Sequence, residues 1–268
     1  VDKKKLDLRD YKKLNTFFKK NKIDYLINAA AKVGGILAND TYRADFILSN
    51  LQIQNNIIEL SHKYNLKSVV LLGSSCIYPK FCKQPIKENY ILSGKLEETN
   101  KSYAVAKIAG AILAESFNFQ YKTKFKFLMP CNLYGPNDNF DLEESHVLPA
   151  LIRKIYLGKC LEDDNWEAIR VDLNKEPIKD IDGNSSNEEI IKTLNEYGIT
   201  KEEIEIWGSG NPRREFLWSE DMADACVYLL ENRDFTDLYS HTSEIKNTHI
   251  NIGTGVDISI KDLSCLIK

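Results

Sequence analysis

A tyrosine and a lysine four residues apart, Tyr103 and Lys107, are the first pair whose types and spacing favour chemistry. On a helix this spacing puts both side chains on one face. An ammonium group beside a phenol favours the phenolate, so such a tyrosine can give and retake a proton near neutral pH. Ser74 ends an apolar run 29 residues before Tyr103, and its hydroxyl can hydrogen-bond a carbonyl. The three residues together predict carbonyl reduction; the alternative is an ordinary strand-end serine and a helix-surface pair.

Short apolar runs alternate with amphipathic stretches over the first 130 residues, and these elements must position the three side chains. The runs predicted as buried strands are residues 24–29, 68–73 and 125–130. The stretches predicted as helices are residues 11–20, 45–64 and 102–121. Strands alternating with helices predict a parallel sheet with right-handed crossovers, a doubly wound α/β fold of the Rossmann type. Functional loops should then follow the carboxyl ends of the strands.

The start of the chain departs from this pattern. Such sheets normally open with a strand, a glycine-rich turn and a helix that seats a pyrophosphate. Here a charged stretch enters a helix near Asp10, and no Gly-x-x-Gly-x-x-Gly is present near residue 1. Either that first unit lies upstream or the protein lacks it. The chain also stops within a predicted helix, after residues 259–268.

Composition excludes several classes of protein. With 43% hydrophobic and 28% charged residues the chain is globular, and no apolar run approaches the roughly 20 residues that span a membrane. The formal net charge is −3, and the mildly basic remainder outside the acidic residues 161–205 suits an anionic small molecule better than nucleic acid. Six scattered cysteines without Cys-x-x-Cys pairs predict reduced thiols, no metal site and a cytoplasmic location.

Seven segments in colinear order resemble the GDP-L-fucose synthase family of extended short-chain dehydrogenases/reductases. They are residues 30–36, 73–80, 103–110, 132–140, 146–154, 207–217 and 251–257. The resemblance implies 3,5-epimerisation and 4-reduction of GDP-4-keto-6-deoxy-D-mannose with NADPH, by a homodimer formed through helices 45–64 and 102–121. It implies an NADP-binding domain over residues 1–140 and a smaller substrate-binding lobe over 141–268. That lobe contains an acidic insertion, 161–205, and a segment that returns to the sheet, 215–256.

The resemblance assigns catalysis to Ser74, Tyr103, Lys107, Cys76 and His146. A ketone acidifies the hydrogens on the neighbouring carbons, so each epimerisation needs a base to remove a proton and an acid to return one. A thiolate and an imidazolium suit these two tasks. The alternatives are a packed core thiol for Cys76 and a helix cap for His146. The other histidines, His62, His241 and His249, are expected to be surface or packing residues.

Binding residues follow from the same resemblance. Those for the cofactor are Asp7, Leu8, Ala29, Ala30, Ala31, Leu72, Gly73, Ser74, Ser75, Tyr103, Lys107, Pro130, Cys131, Asn132, Leu133 and His146. Those for the GDP-sugar are Lys154, Trp207, Arg213 and Arg214. Packing explains Cys131 equally well, and a core position is the alternative for Trp207. The choice of NADP over NAD rests on the resemblance alone.

Three other functions stay open at this stage. A related enzyme could act on another GDP-4-keto-sugar such as a heptose, because residues 161–205 adjoin the expected sugar site. A sugar-nucleotide 4,6-dehydratase is disfavoured because Ser75 and Cys76, and not an acidic residue, follow Ser74. A non-catalytic GDP-sugar-binding protein would explain the missing glycine-rich turn, but would not need the Ser–Tyr–Lys and Cys–His sets.

Overall fold

The computed structural model describes residues 5–239 and 245–268, so His241 lies outside the described residues. The chain divides into two compact units. The first comprises residues 1–133 and 217–254, and the second comprises residues 134–216 and 255–268. No helix among the described residues is long and apolar enough to cross a membrane.

The first unit is built on a parallel sheet with the order β1–β2–β3–β6. These strands are β1 Tyr25–Asn28, β2 Ser68–Leu72, β3 Phe125–Pro130 and β6 Ile250–Ile252. In the register of the sheet, Val70 lies opposite Ile27 on one side and Lys126 on the other. β3 is buried along its whole length, as expected of a central parallel strand. The doubly wound α/β fold is confirmed.

Helices connect the strands of this sheet and cover it. They are α1 Tyr11–Lys20, α2 Ile36–Thr41, α3 Arg43–Lys63, α4 Lys101–Tyr121 and α8 Ser219–Asn232. α3 and α4 approach closely at Gly110, where a Cβ atom would lie 2.4 Å from Gln54 Oε1. Gln54 Nε2 in turn donates to the Ala106 carbonyl at 2.6 Å. The predicted helices are confirmed within two residues at each end, whereas α2 and α8 were not predicted.

The second unit contains the helices α5 Val147–Glu162, α6 Trp166–Lys175, α7 Asn187–Glu196 and α9 Ile260–Ile267. Its small sheet has the order β4–β5–β7, from the strands β4 Asn132–Tyr134, β5 Arg213–Trp218 and β7 Asp257–Ser259. β5 and β7 pair antiparallel, with Arg214 opposite Ile258. β4 and β5 each cross a boundary between the units along the chain.

The acidic residues 161–205 enclose a hydrophobic core that they share with α5. Leu157 of α5, Ile169 and Leu173 of α6, and Ile190 and Leu194 of α7 are each fully buried. Most of the acidic side chains are on the outside of this core. We refer to residues 161–205 as the acidic lobe.

Two local predictions for the acidic lobe were incomplete or wrong. The helix predicted at 188–197 is present as α7, but α6 was not predicted, because its charged residues mask a short apolar stripe. The helix predicted at 201–205 is absent. The Thr200 hydroxyl instead accepts hydrogen bonds from the amides of Glu202 and Glu203 at 3.2 and 3.0 Å, which favours a turn over a helix.

Arg153 of α5 anchors the acidic lobe. Its guanidinium is almost fully buried and donates to Asp172 Oδ2 of α6 from Nε and Nη2 at 2.9 and 2.8 Å. It also donates to the carbonyl oxygens of Phe140 and Glu176. A charged group buried in this way is stable only while its partners remain.

Candidate active site

The turn that follows β2 carries two of the expected catalytic side chains. The Gly73 amide donates to the Leu128 carbonyl at 2.7 Å, and a Cβ at this position would lie 2.1 Å from Met129 Sδ. Glycine therefore lets the end of β2 pass against β3. A single 3-10 turn, Ser75–Ile77, comes next, and Ser74 Oγ accepts a hydrogen bond from the Cys76 amide at 3.4 Å. We refer to residues 73–78 as the β2 turn.

α4 brings the tyrosine and lysine to the same strand end. Lys107 is 6% exposed, and its Nζ donates to the Leu72 carbonyl at 2.7 Å. The same nitrogen lies 5.6 Å from the centre of the Tyr103 ring. The edge of that ring contacts Phe46 of α3, with 6.3 Å between ring centres. The structure thus groups Ser74, Tyr103 and Lys107 around the end of β2.

Burial controls the protonation of this group. It lowers the pKa of Lys107 to about 8, with the neighbouring Cys76 acting in the opposite direction. It raises the pKa of Tyr103, and the charge that Cys76 can carry raises it further. The expectation of a lowered pKa for Tyr103 is therefore wrong, because burial and the charge of Cys76 both raise it. Tyr103 holds its proton at neutral pH.

Cys76 is half-buried within the β2 turn. Burial raises the pKa of its thiol to about 11, although the Ser74 hydroxyl and the Lys107 charge act in the opposite direction. The thiolate expected from the sequence is thus not the resting form. Cys76 is a protonated thiol that lies beside Ser74 and within the electrostatic reach of Lys107 and Tyr103.

Most of the other expected cofactor-binding residues of the first unit lie at or just after the carboxyl ends of β1, β2 and β3. Ala29, Ala30 and Ala31 follow β1, with the first two exposed. Pro130 ends β3, and the Cys131 amide donates to the Ile252 carbonyl of β6 at 3.0 Å. The remaining residues of this set are Leu72, Ser75, Asn132 and Leu133. Carboxyl ends of parallel strands share one edge, where doubly wound sheets bind ligands.

Asp7 and Leu8 lie before α1. Asp7 pairs with Arg9, with 2.6 Å between Oδ2 and Nη2, and Leu8 packs against the main core of the first unit. Asn56 Nδ2 of α3 donates to the Leu8 carbonyl at 2.8 Å, which fixes this segment against the helix. The Asp7 carboxylate remains partly exposed.

The hydrogen-bonding capacity of Lys107 indicates that the site can hold a nicotinamide nucleotide. The Lys107 ammonium has three donors, and within the described residues it uses one, to the Leu72 carbonyl. Two donors remain for ribose hydroxyls beside Tyr103. No group of three His, Cys, Asp or Glu side chains in the described ranges could hold a metal ion.

His146 lies in the second unit, directly before α5. It is exposed, and its side chain makes no capping hydrogen bond, although its carbonyl accepts from the Ala150 amide at 3.1 Å. The alternative of a side-chain helix cap therefore does not hold. Its pairing with Cys76 stays a prediction.

Lys154 and Trp207 form a local pair in the second unit. Lys154 is 4% exposed, and its Nζ donates to the carbonyls of Tyr197 at 2.6 Å and Glu205 at 3.3 Å. Burial lowers its pKa. The nitrogen lies 5.3 Å from the Trp207 ring centre, and Trp207 is 63% exposed, so the core alternative for this tryptophan is wrong.

The two expected phosphate-binding arginines differ in their partners. Arg213 Nε donates to Asp257 Oδ1 at 2.9 Å, and this carboxylate raises the pKa of the guanidinium. Arg214 donates to the Arg213 carbonyl at 2.8 Å and makes no ion pair within the described part of the chain. Successive side chains of a strand point to opposite faces. Arg214 is therefore the more available of the two for an anionic ligand.

Sequence reasoning missed a buried polar cluster beside the β2 turn. Tyr78 donates to Asn251 Oδ1 at 2.5 Å and is hydrogen-bonded to His249 Nε2 at 3.0 Å. His249 is buried, in keeping with the packing role expected of it. The other described histidine expected to have such a role, His62, stacks on Tyr121 with 4.2 Å between ring centres. A signal was present, because Tyr78 and Asn251 both lie in segments that carry the family resemblance.

Comparisons with known proteins show the family to which the chain belongs. The model of the NAD dependent epimerase/dehydratase family matches residues 2–173 and 179–253. The GDP-L-fucose synthase of Sinorhizobium fredii is 44% identical over 100% of this chain and 69% of its own length. The chain spans 65% to 69% of the length of three such curated synthases.

Two solved structures from Campylobacter jejuni are also similar over the whole chain. A GDP-6-OMe-4-keto-L-xylo-heptose reductase is 44% identical, with a TM-score of 0.91 and 74% of that chain covered. A GDP-D-glycero-L-gluco-heptose synthase, solved in the presence of NADPH, is 43% identical, with a TM-score of 0.92 and 76% covered. The resemblance to GDP-L-fucose synthases is confirmed, and the chain belongs to the NAD dependent epimerase/dehydratase family.

Proposed function

We propose that this protein is an NADP-dependent epimerase–reductase that converts GDP-4-keto-6-deoxy-D-mannose to GDP-L-fucose. The observation that carries the proposal is the β2 turn, which holds Ser74 and Cys76 side by side while Lys107 fixes α4 to the strand end. Epimerisation needs a group that can transfer a proton beside the carbonyl, and the Cys76 thiol can serve as that group. The GDP-L-fucose synthases that are 40% to 44% identical over almost the whole chain support the same activity.

In the reduction, Tyr103 donates its proton to the oxygen on carbon 4 of the sugar. The raised pKa of Tyr103 keeps that proton in place at neutral pH until charge develops on the oxygen. Ser74 hydrogen-bonds the same oxygen and polarises the carbonyl. Lys107 uses its two remaining donors on the ribose of the cofactor. NADPH, when bound, supplies the hydride.

In the epimerisations, Cys76 and His146 exchange protons with carbons 3 and 5. The ketone makes these hydrogens acidic, and Ser74 and Tyr103 stabilise the enolate oxygen. Because Cys76 rests as a thiol, His146 removes the first proton and Cys76 supplies its own proton to the opposite face of that carbon. At the other carbon the two exchange roles: the Cys76 thiolate removes the proton and the protonated His146 returns one. The proposal requires Cys76 and His146 to serve the same sugar ring.

The second unit binds the GDP end of the substrate. Trp207 offers an exposed aromatic face to the base or the sugar, and Arg214 offers a guanidinium that can meet phosphate in a bidentate fork. Arg213, held by Asp257, is the second phosphate contact. Lys154 completes the set of substrate-binding residues.

The cofactor is NADP, bound along the carboxyl edge of the sheet by the loops after β1, β2 and β3, with Asp7 and Leu8 on the adenine side and His146 near the nicotinamide. The protein acts in the cytoplasm as a homodimer formed through α3 and α4. An exposed apolar stripe on α4 supports this, with Val105, Ile112 and Phe119 seven residues apart and 38%, 44% and 64% exposed.

A second candidate function is the reduction of a GDP-4-keto-heptose. It is favoured by the two Campylobacter jejuni enzymes, which act on GDP-heptoses and are as similar to this chain as the fucose synthases are. The machinery for reduction would be the same, and the second unit would accommodate the longer sugar.

The test is a panel of GDP-4-keto-sugars offered to the full-length protein with NADPH. We expect the 6-deoxy-hexose to be consumed with the highest kcat/KM, yielding GDP-L-fucose identified by chromatography and NMR. A preference for a 4-keto-heptose would transfer the assignment to the second candidate. Failure of every keto-sugar to oxidise NADPH would overturn both.

A further inference from the structure

Three separate segments of the first unit are joined by hydrogen bonds around Tyr78 and Asn251. Tyr78 ends the β2 turn, and its amide donates to the Ser75 carbonyl at 3.3 Å. Its hydroxyl reaches His249 and Asn251, which lie just before and within β6. Asn251 also contacts the segment that precedes α4, because its backbone N–H donates to Glu88 Oε1 at 3.1 Å. We refer to Tyr78, Glu88, His249 and Asn251 as the Tyr78 cluster.

The polar side chains at the centre of the cluster are hydrogen-bonded to one another. Asn251 Nδ2 donates to the Ile86 carbonyl at 3.2 Å, so Oδ1 is the atom that faces Tyr78. The phenol proton of Tyr78 goes to that oxygen, and His249 Nε2 is hydrogen-bonded to the same phenol oxygen. Tyr78 and His249 are 4% and 6% exposed. A buried network that is satisfied in this way fixes the positions of its members.

The two ends of the β2 turn are held by different contacts. At the Ser74 end, Lys107 binds the Leu72 carbonyl and the Gly73 amide pairs with β3. At the other end, the Tyr78 cluster ties the turn to β6. Cys76 lies between these anchors and has no strand pairing of its own.

We propose that Tyr78 is a positioning residue for Cys76, and that the Tyr78 cluster serves the proton exchange at the sugar rather than the hydride transfer. The inference rests on the function proposed above and adds a residue to it. Removing the Tyr78 hydroxyl frees the Cys76 end of the turn while the contacts that hold Ser74, Tyr103 and Lys107 remain. Loss of the Tyr78 hydroxyl should therefore slow the proton exchange at carbons 3 and 5 and leave the hydride transfer at carbon 4 largely unchanged.

The experiment compares Tyr78→Phe with wild type in two assays of the full-length protein. The first follows deuterium uptake from heavy water at carbons 3 and 5 of the keto-sugar. The second follows hydride transfer alone, as oxidation of GDP-L-fucose by NADP⁺, which needs no epimerisation. We expect deuterium uptake to slow about tenfold or more, because small displacements of a reacting group are costly, and GDP-L-fucose oxidation to stay within about twofold.

Tyr64→Phe is the matched control. Tyr64 also lies in the first unit and donates its hydroxyl to Asn15 Oδ1 at 3.0 Å, away from the β2 turn. We expect both assays to be unchanged in this variant. Asn251→Leu removes the acceptor of Tyr78 without altering the phenol, and it should reproduce the split if Tyr78→Phe folds poorly.

A third measurement reads Cys76 directly. Alkylation by iodoacetamide, quantified on the Cys76 peptide, should change several-fold in Tyr78→Phe, with the exposed Cys265 unchanged as the internal standard. Equal losses in both assays, or deuterium uptake within twofold of wild type, would overturn the inference. Absence of deuterium uptake in the wild-type protein would instead overturn the proposed function itself.

Discussion

The reactivity of Cys76 tests how burial controls the β2 turn. Burial raises the pKa of this thiol from 9.0 to about 11, against the smaller effects of Ser74 and Lys107. Only the thiolate reacts with iodoacetamide. The perturbation is unfolding, because the same cysteine loses its buried surroundings in denaturant and provides its own reference.

The magnitude follows from the two pKa values. At pH 8 about 9% of a thiol with a pKa of 9.0 is ionised, against about 0.1% of one with a pKa near 11, a difference of about 90-fold. A thiolate of higher pKa is intrinsically more nucleophilic. With a Brønsted slope of about 0.45, a rise of two pKa units makes the thiolate about eightfold more reactive, which offsets part of the loss in ionised fraction. Cys76 should therefore react about tenfold more slowly in the folded protein than in the unfolded chain. Partial burial of the sulfur adds to this slowing.

The assay is pulsed alkylation at pH 7 to 10, with the Cys76 peptide quantified by mass spectrometry in native buffer and in denaturant. We expect the native rate to keep rising up to pH 10. A native rate equal to or faster than the unfolded rate at pH 8, or a plateau below pH 9, would refute the reasoning. It would show that the turn stabilises the thiolate.

Three further predictions concern stability, each measured by urea denaturation. Gly73→Ala should lower the free energy of unfolding by about 1–3 kcal/mol, because the new Cβ displaces Met129, and an unchanged midpoint would contradict the close approach. Lys107 has a folded pKa of about 8 against 10.5 unfolded, so the folded chain binds fewer protons between these values and its stability rises with pH there. In Lys107→Met that gain is absent, so the stability of the variant relative to wild type should fall by about 3 kcal/mol between pH 8 and 10.5; a constant difference would refute the shift. Arg153→Met leaves the partly buried Asp172 carboxylate and two carbonyl oxygens without their donor and should lower the stability of the second unit by about 2–4 kcal/mol. Lys201→Met, in an exposed pair of the acidic lobe, should lower it by less than about 1 kcal/mol; equal effects would contradict the anchoring role.

The main sheet was predictable because its strands are apolar runs of the right length, bounded by turns. β2 and β3 are buried, and buried parallel strands can be recognised from their nearly continuous runs of hydrophobic residues. α3 and α4 were predictable because their lengths and apolar positions leave few alternatives. α6 was not predictable, because the charged residues around its apolar positions dominated the sequence pattern. The helix predicted at 201–205 was wrong because a single hydroxyl, that of Thr200, stabilises a turn there.

Several residues of the candidate site were predictable from the sequence. Ser74, Tyr103 and Lys107 were predicted from their types and spacing, and Cys76 was implied by the family resemblance. Ser74 and Cys76 also follow β2, at the carboxyl edge of the sheet where such folds bind ligands. Their protonation was not predictable, because it depends on burial that spacing does not reveal. The Tyr78 cluster was missed for a similar reason, since its members lie up to 173 residues apart and meet only through the sheet.

The most direct test of the account is the complete reaction of GDP-4-keto-6-deoxy-D-mannose with NADPH in heavy water, with wild type and Cys76→Ser compared. We expect wild type to form GDP-L-fucose with deuterium at carbons 3 and 5. We expect Cys76→Ser to lose deuterium incorporation and still oxidise GDP-L-fucose with NADP⁺. NADPH oxidation by wild type without deuterium at either carbon would contradict the account, and so would loss of both activities in a folded Cys76→Ser protein.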